Sequence, residues 1–486
     1  MSRRSLLALL ILLLAAWVRF GALAADARFH GDEALFATYG RGAAVYGDWM
    51  LPGPLDKPPL SLYAMALSMQ FTGVTTLPDG VLTLDVKRGE WSARLPGVLA
   101  GIITVALLMS AAQRLGGRYA GLFAGALAAL SPQMTAYSAT AFTDPVMLAF
   151  MTASLATGLH GRGAWSGLWL AAAFASKQQA LFYFPLVAAL NAFSVPRAID
   201  SPWNGQRFRS FLTTLGLGLG ALVLWDAARP EASLFAYAAD NNNPYRTLVP
   251  VSEWGMRVSQ WAAHFATAFG AWPVSAMVGL SAAAGGLMLP KVHAASSKRA
   301  CLRRPEALLL LFTLAYLIAH IVLPFNTYDR YLLPVYPPAV VLAALALARL
   351  ARRSWMPLTL VALLVMSLSA PARFPTDVRD RDDGLIALAD FINAQEMGTI
   401  VYNRWLGWEM NYYLGPWSDK RSVYYPSPEQ FAADSPLNPD RAPRLFIAPA
   451  WAFTGEWLDA AADAGFSTRS AYRSADYVAF WLERDD

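Results

Sequence analysis

Residues 5–36 read SLLALLILLLAAWVRFGALAADARFHGDEALF, an almost unbroken apolar run followed by an adjacent acid pair, Asp32 and Glu33. About 20 apolar residues suffice for a helix to cross a hydrocarbon layer, so residues 5–24 predict a first membrane span. A carboxylate at a membrane boundary is costly unless it is paired or put to use. The placement of Asp32 and Glu33 just beyond the first span therefore asks for a function.

The rest of the chain agrees with a membrane setting. It has 486 residues, of which 56% are hydrophobic and 15% charged, where soluble domains carry about 25% charged residues. The single cysteine, Cys301, excludes an internal disulfide. The net charge of +5 comes from short basic clusters between apolar runs, a pattern that membrane topology explains and that argues against nucleic acid. The basic start, the apolar run and the small-residue segment Ala22-Leu23-Ala24 also fit a cleaved signal peptide, and Ser2-Arg3-Arg4 faintly resembles a twin-arginine leader. The many apolar runs that follow favour an uncleaved anchor, with Arg19 snorkelling near its outer end.

Further apolar runs cover 94–112, 119–136, 145–159, 164–176, 180–194, 211–226, 266–289, 307–323, 331–348 and 355–371. The run 59–73 is shorter, opens on Pro58-Pro59 and suits an interfacial helix. Setting Arg3 and Arg4 inside makes every later inner loop basic, from Arg114 and Arg118 through Arg162, Arg207 and Arg209 to Arg349, Arg352 and Arg353. The expected architecture is a polytopic α-helical membrane domain over residues 1–371 with about eleven spans, its N-terminus cytoplasmic, in the cell membrane. Residues 25–93 form a first outer loop with interfacial helices and 227–265 a long outer loop. The runs 164–176 and 180–194 are either two short spans or one long helix bent at Ser176–Gln179.

This topology gathers acids on one side: Asp32, Glu33, Asp48, Asp56, Asp144, Asp226, Asp240, Glu253 and Asp329. Lys57, Lys177, Arg246, Arg257 and Arg330 stand beside them. The long loop contains AADNNNPYRTLVPVSEW (238–254), in which Asn241 and Asn242 either turn the chain or hydrogen-bond sugar hydroxyls.

From residue 372 the character changes. Strand-like runs at 399–403, 422–426, 444–449 and 476–482 alternate with helical patterns in GLIALADFINAQ (384–395) and GEWLDAAADAGF (455–466). Residues 372–486 are thus expected to form an extracytoplasmic α/β domain. It lacks a phosphate loop, a Cys/His metal pattern and a nucleophile elbow, so it caps or steers rather than catalyses.

The chemistry open to such a cluster is transfer at carbon. A carboxylate takes the proton of an attacking hydroxyl or amine, and lysine or arginine stabilises a departing phosphate. In chain order, GDEALFATYGRG (31–42), LDKPPLSLYAMAL (55–67), ARLPGVLAG (93–101), SATAFTDPVMLAF (138–150), SKQQALFYFPL (176–186) and DRYLLPVYPP (329–338) resemble membrane glycosyltransferases of the GT-C fold. The resemblance is to the superfamily of lipid A aminoarabinose transferases and protein O-mannosyltransferases. It implies an inverting transfer of a sugar from a polyprenyl-phosphate donor to a protein, glycolipid or envelope glycan at the outer membrane face. It implies Asp32 as the catalytic acid with Glu33 beside it, Asp144 as a second acid, and Lys57 at the donor phosphate with Lys177 and Arg330 as further phosphate-side residues. Asp56, Asn241, Asn242 and Tyr328 are candidates for sugar or acceptor contact. The sequence departs from the aminoarabinose pattern at Leu35, where an arginine is expected, at Asp56, where a glutamate is expected, and in the outer-loop histidine motif, near which stands only His264. No metal is required by a monophosphate leaving group; were one to bind, Asp56 and His264 would be its donors.

Local structure competes with these roles. Asp32 can cap the following helix, and Asp144 before Pro145 is a helix start. Lys177 can snorkel. His30 reads as a loop residue and His320 as a packed one. The competing function is a lipid-linked sugar flippase, which would place charge near the bilayer midplane and show inverted repeats; no repeat is present.

Overall fold

The computed structural model describes residues 3–25, 27–74, 86–193, 204–242, 246–287, 305–350, 384–414 and 420–484. Helices run through most of the chain: α1 Arg3–Leu23, α2 Gly31–Arg41, α3 Leu60–Thr72, α4 Val86–Gly116, α5 Arg118–Leu130, α6 Pro132–Ser138 and α7 Asp144–Leu159. Then come α8 Gly163–Ser176, α9 Phe184–Ala192, α10 Gly205–Ala227, α11 Leu234–Asn241, α12 Val251–Thr267, α13 Trp272–Leu287, α14 Pro305–Val322 and α15 Tyr336–Leu350. The tail contributes α16 Gly384–Asn393, β1 Ile400–Asn403, α17 Gly407–Tyr413, β2 Arg421–Tyr424, α18 Pro428–Asp434, β3 Arg444–Pro449, α19 Gly455–Asp463, β4 Phe466–Arg473 and β5 Tyr477–Arg484.

Two compact units result: Met1–Ala24, Asp48–Ala64 and Arg94–Pro375 in one, and Ala25–Gly47, Met65–Ala93 and Thr376–Asp486 in the other. In the later part of the chain the division falls between Pro375 and Thr376. It also assigns two pieces of the first outer loop, 25–47 and 65–93, to the unit that holds the tail, so the acid pair belongs with the tail by its packing.

In the helical unit, five helices among the described residues are long and apolar enough to cross a membrane, and six if α12 and α13 count as one broken span bent by 105°. The expected count of about eleven came from apolar runs alone, and several of those runs are interrupted. The expected span 355–371 lies outside the described residues. Run 119–136 breaks at Ser131, because Pro132 cannot donate an amide proton to α5; the Ser131 hydroxyl instead accepts from the Met134 amide and donates to the Ala268 carbonyl. Run 331–348 is one of the five: it opens as a 3-10 turn, Asp329–Val335, which holds Pro334, and continues into α15. The loop 227–265 is largely helical, holding α11 and α12.

Arg19 does not snorkel. It is fully buried and donates to the carbonyls of Ala128 and Ala129 and to the Ser138 hydroxyl. Those carbonyls end α5, where the helix has run out of amide partners.

The region 163–192 is a hairpin. Asn191 donates to the Ser166 hydroxyl, and Arg207 donates to Asn191 and to the Leu190 carbonyl. Residues 166 and 190–191 are thus at one end, with Lys177 and the 3-10 turn Gln178–Tyr183 at the other. Arg114 bonds the Leu159 carbonyl and Ser110 bonds His160 at that first end as well. The basic residues read as inner and the acids read as outer therefore separate to opposite ends of α7, α8 and α9.

The tail forms a five-stranded sheet in the order β2-β1-β3-β5-β4. β1 pairs parallel with β2 and β3, while β5 pairs antiparallel with β3 and β4. Phe431, Phe446 and Trp457 pack its core with Tyr402 and Phe466. The expected strands and both expected helices are present. Strand β4 and helices α17 and α18 are additional.

Candidate active site

In the helical unit the sequence-predicted residues converge on the loop 48–57 and the starts and ends of α7, α8 and α11. Asp144 is the first residue of α7, not its cap, which is Thr143. It is 1% exposed, and its carboxylate meets the Lys177 ammonium at 2.7 Å. Two buried charges are tolerated together where neither would be alone, so this contact fixes α7 against the turn after α8. Burial pulls the Lys177 ammonium down to about 8; Asp144 opposes that shift, and the like charges of Arg330 and Lys57 add to it.

Lys57 hydrogen-bonds the Asp56 carboxylate. The same carboxylate accepts from Asn241 at 3.3 Å, and the Asp56 carbonyl accepts from Gln178, the residue after Lys177, at 2.6 Å. Arg330 presents its guanidinium to the rings of Phe142, Tyr328 and Tyr331 at 4.8, 5.3 and 5.8 Å. Its neighbour Asp329 accepts from the Tyr137 hydroxyl and from the Arg330 amide, which fixes the turn that carries Arg330. Three cations from three separate segments thus share one region with two carboxylates, a composition suited to an added phosphate.

Of the other expected residues, Tyr328 flanks the cluster, while Asn242 and His264 bond elsewhere. Asn242 is exposed and bonds the Ala238 carbonyl of its own helix. Tyr328 is half exposed beside Arg330. The His264 ring is engaged by the Thr327 carbonyl at 2.8 Å. Among the described residues no group of three or more His, Cys, Asp or Glu converges as a metal site would require.

The acid pair lies in the other unit, at the start of α2. His30 is the cap residue: its Nδ1 accepts from the Asp32 amide at 3.1 Å, and Glu33 accepts from the His30 amide at 3.1 Å. Glu33 is fully buried by this capping box, whereas Asp32 keeps partial exposure. Helix α2 is held in turn by tail residues of the same unit. Arg41 donates to the carbonyls of Tyr412 and Asn411, and the Phe29 amide donates to the Tyr413 hydroxyl at 2.7 Å. Arg28 pairs with Glu90 at 3.3 Å, and Tyr413 bonds Glu90. A Cβ on Gly31 would stand 3.2 Å from a carboxylate oxygen of Glu409, so the tail presents a third acid at the start of α2. Sequence reasoning missed Glu409, Gln178 and Arg229, since no local pattern marks them, and placed Asp226 among the outer acids without a role.

The sequence pattern of the dolichyl-phosphate-mannose-protein mannosyltransferase family matches residues 56–225, a stretch that holds Asp56, Lys57, Asp144 and Lys177. Among curated proteins none matches the sequence significantly. Solved structures are similar along the whole chain. ArnT from Cupriavidus metallidurans bound to undecaprenyl phosphate superposes with a TM-score of 0.64 at 15% identity, covering 98% of this chain and 97% of that one. This is the GT-C fold. The archaeal oligosaccharyltransferase of Archaeoglobus fulgidus tethered to an acceptor peptide gives a TM-score of 0.57 at 9% identity, over 97% of this chain and 73% of that one. The same organism's AglB in complex with an inhibitory peptide and a dolichol-phosphate gives 0.56 at 11% identity, over 98% and 74%. The GT-C architecture agrees with the resemblance read from the sequence, and the chain is a multi-pass membrane protein.

Proposed function

We propose that this GT-C protein transfers a sugar, with inversion, from a polyprenyl-phosphate carrier to an acceptor at the extracytoplasmic face of the cell membrane. The observation that carries the proposal is the cluster of Lys57, Lys177 and Arg330 around Asp56 and Asp144, in a fold whose solved relatives include one bound to undecaprenyl phosphate and one to a dolichol-phosphate. Asp32 takes the proton as the acceptor oxygen or nitrogen attacks the anomeric carbon. The bond from that carbon to the phosphate oxygen breaks, and the electron pair leaves with the polyprenyl phosphate. Lys57, Lys177 and Arg330 stabilise the charge left there. Asp144 keeps Lys177 in place before the phosphate arrives, and Asn241 orients Asp56 for contact with the sugar. The acceptor is a protein, a glycolipid or an envelope glycan. The separation of charge to the two ends of the helices gives no support to a flippase, which would hold charge near the midplane.

The test is to purify wild type and Asp32→Asn in mild detergent, add a candidate polyprenyl-phosphate sugar, and weigh the bound lipid by mass spectrometry. The expected outcome is intact donor on the variant and polyprenyl phosphate on wild type. Normal turnover by Asp32→Asn would remove Asp32 from the mechanism, and failure of both forms to retain any polyprenyl species would overturn the proposal.

A further inference from the structure

The backbone of the loop 48–57, which carries Asp56 and Lys57, takes three of its bonds from one side chain. Arg229, just past the end of α10, is 6% exposed and donates to three loop carbonyls: Met50 at 3.3 Å, Leu51 at 2.9 Å and Gly53 at 2.9 Å. Leu51 is the one non-glycine residue with positive φ among the described residues, at +50°. Such a backbone persists only where its surroundings over-determine it. Here the means are the Arg229 bonds, the Leu51 amide's bond to the Asp48 carbonyl and the full burial of the Leu51 side chain. Trp225 adds a further tie: its indole donates to the Tyr63 hydroxyl at 2.7 Å, and Tyr63 donates to the Trp49 carbonyl.

Asp226, one turn before Arg229, faces its guanidinium at 3.8 Å. Its carboxylate also accepts from the Leu234 amide at 2.8 Å and from the Ser233 hydroxyl at 2.6 Å. Those bonds fix the start of α11, and Ser233 is that helix's cap. The last residue of α11 is Asn241, which reaches the Asp56 carboxylate. The two arms of the pair therefore meet again: Arg229 sets the backbone leading to Asp56 and Lys57, and Asp226 sets the helix whose far end holds the Asp56 side chain.

We infer that Arg229 and Asp226 are positioning residues that together aim Asp56 and Lys57 at the donor. The inference rests on the phosphate role proposed for Lys57. Neither residue contacts substrate; both act through the loop and through α11. Lysine at 229 keeps the charge but lacks the planar fork whose Nε and Nη2 serve the three carbonyls separately, so it restores only part of the effect.

The experiment uses the full chain in detergent and a long-chain polyprenyl monophosphate as the probe, its binding followed by competition and its stability effect by thermal unfolding. Lys57→Ala, Arg229→Gln, Arg229→Lys, Asp226→Asn and the double variant Lys57→Ala/Arg229→Gln are compared. Backbone hydrogen exchange is read over 48–57 and, as a control, over 144–159. The expected result is that Arg229→Gln weakens binding about as much as Lys57→Ala, on the order of tenfold, with Arg229→Lys intermediate. The double variant should be no worse than the worse single one, because residues acting through one contact are not additive. Exchange should rise over 48–57 and stay unchanged over 144–159. The inference is overturned if Lys57→Ala weakens binding while Arg229→Gln binds as wild type, or if the two losses add in full. It is equally overturned if Arg229→Gln raises exchange over 144–159 as much as over 48–57, which marks a general loss of structure. Unchanged binding by Lys57→Ala would strike the phosphate reading itself, and that result is visible without any change at 229.

Discussion

Glu33 and Asp144 are both buried carboxylates in the first turn of a helix, yet they are held by different means. Glu33 closes on an amide three residues away, within a capping box that a short peptide could form. Asp144 meets an ammonium 33 residues further along, at the end of another helix. The first arrangement fixes where α2 begins. The second leaves two ions dependent on each other and on the packing of α7 against α8. In the second arrangement, losing one ion leaves the other buried and uncompensated.

The largest effect should come from splitting the pair. Asp144→Asn or Lys177→Met alone strands a buried charge or donor and should lower stability by about 3–5 kcal/mol, while the double variant recovers much of it. Denaturant unfolding in micelles of all three variants checks this, and a double variant as unstable as the sum of the singles would end the comparison. Asp32→Asn comes next: transfer should fall by about 10²-fold or more with unfolding unchanged, read by product formation beside a melting curve. Glu33→Gln keeps the shape of the cap and should cost about 1 kcal/mol, with activity reduced far less than in Asp32→Asn. An equal loss at both positions would mean that Asp32 works through the helix start rather than on the acceptor.

Smaller effects follow from pH. With the Lys177 ammonium pulled down to about 8 by burial, affinity for a polyprenyl monophosphate should weaken severalfold as pH rises through that value. Lys177→Arg, charged throughout, should show no such decline. In the tail, hydrogen bonds from the Ala442 amide and from Arg421 hold Asp440 below its ordinary range. Its contribution is present above the unfolded carboxylate pKa and lost as pH falls through the lower folded one. Asp440→Asn should therefore flatten a slight acid-side decrease in stability, read by unfolding between roughly pH 5 and 3, the range that the unfolded value sets.

Much of the fold was legible because its signals are local. Long apolar runs gave α1, α10 and α14, and basic clusters gave the two ends of the bundle. Short strand-like runs gave β1, β2, β3 and β5. Strand β4 escaped because it is an edge strand, exposed along most of its length, so FSTRSAYR shows no buried alternation. Helix α12 escaped because an amphipathic helix was read as part of a polar loop. The break at Ser131 follows from Pro132, which an apolar run alone does not reveal. At the site, Lys57, Lys177, Asp144 and Arg330 were named from motif resemblance and do come together in one unit. Arg229 and Asp226 were not singled out, because what they do depends on carbonyls and amides that any sequence supplies.

Arg19 carries a further consequence, for the order in which the protein is built. Apart from the Ala15 carbonyl of its own helix, its partners lie 109 to 119 residues downstream. When the first helix enters the bilayer, those carbonyls have not yet been made. An arginine at the centre of a span is disfavoured by about 2.5–3.5 kcal/mol during insertion; Arg19, four residues before the end of α1, bears a smaller cost of the same sign. The first segment is therefore least at ease in lipid when it is alone, and gains its place when α5 and α6 arrive. The handover from insertion machinery to folded bundle should be delayed until residues near 138 emerge, so chains stalled before that point should remain extractable and those stalled after it should not.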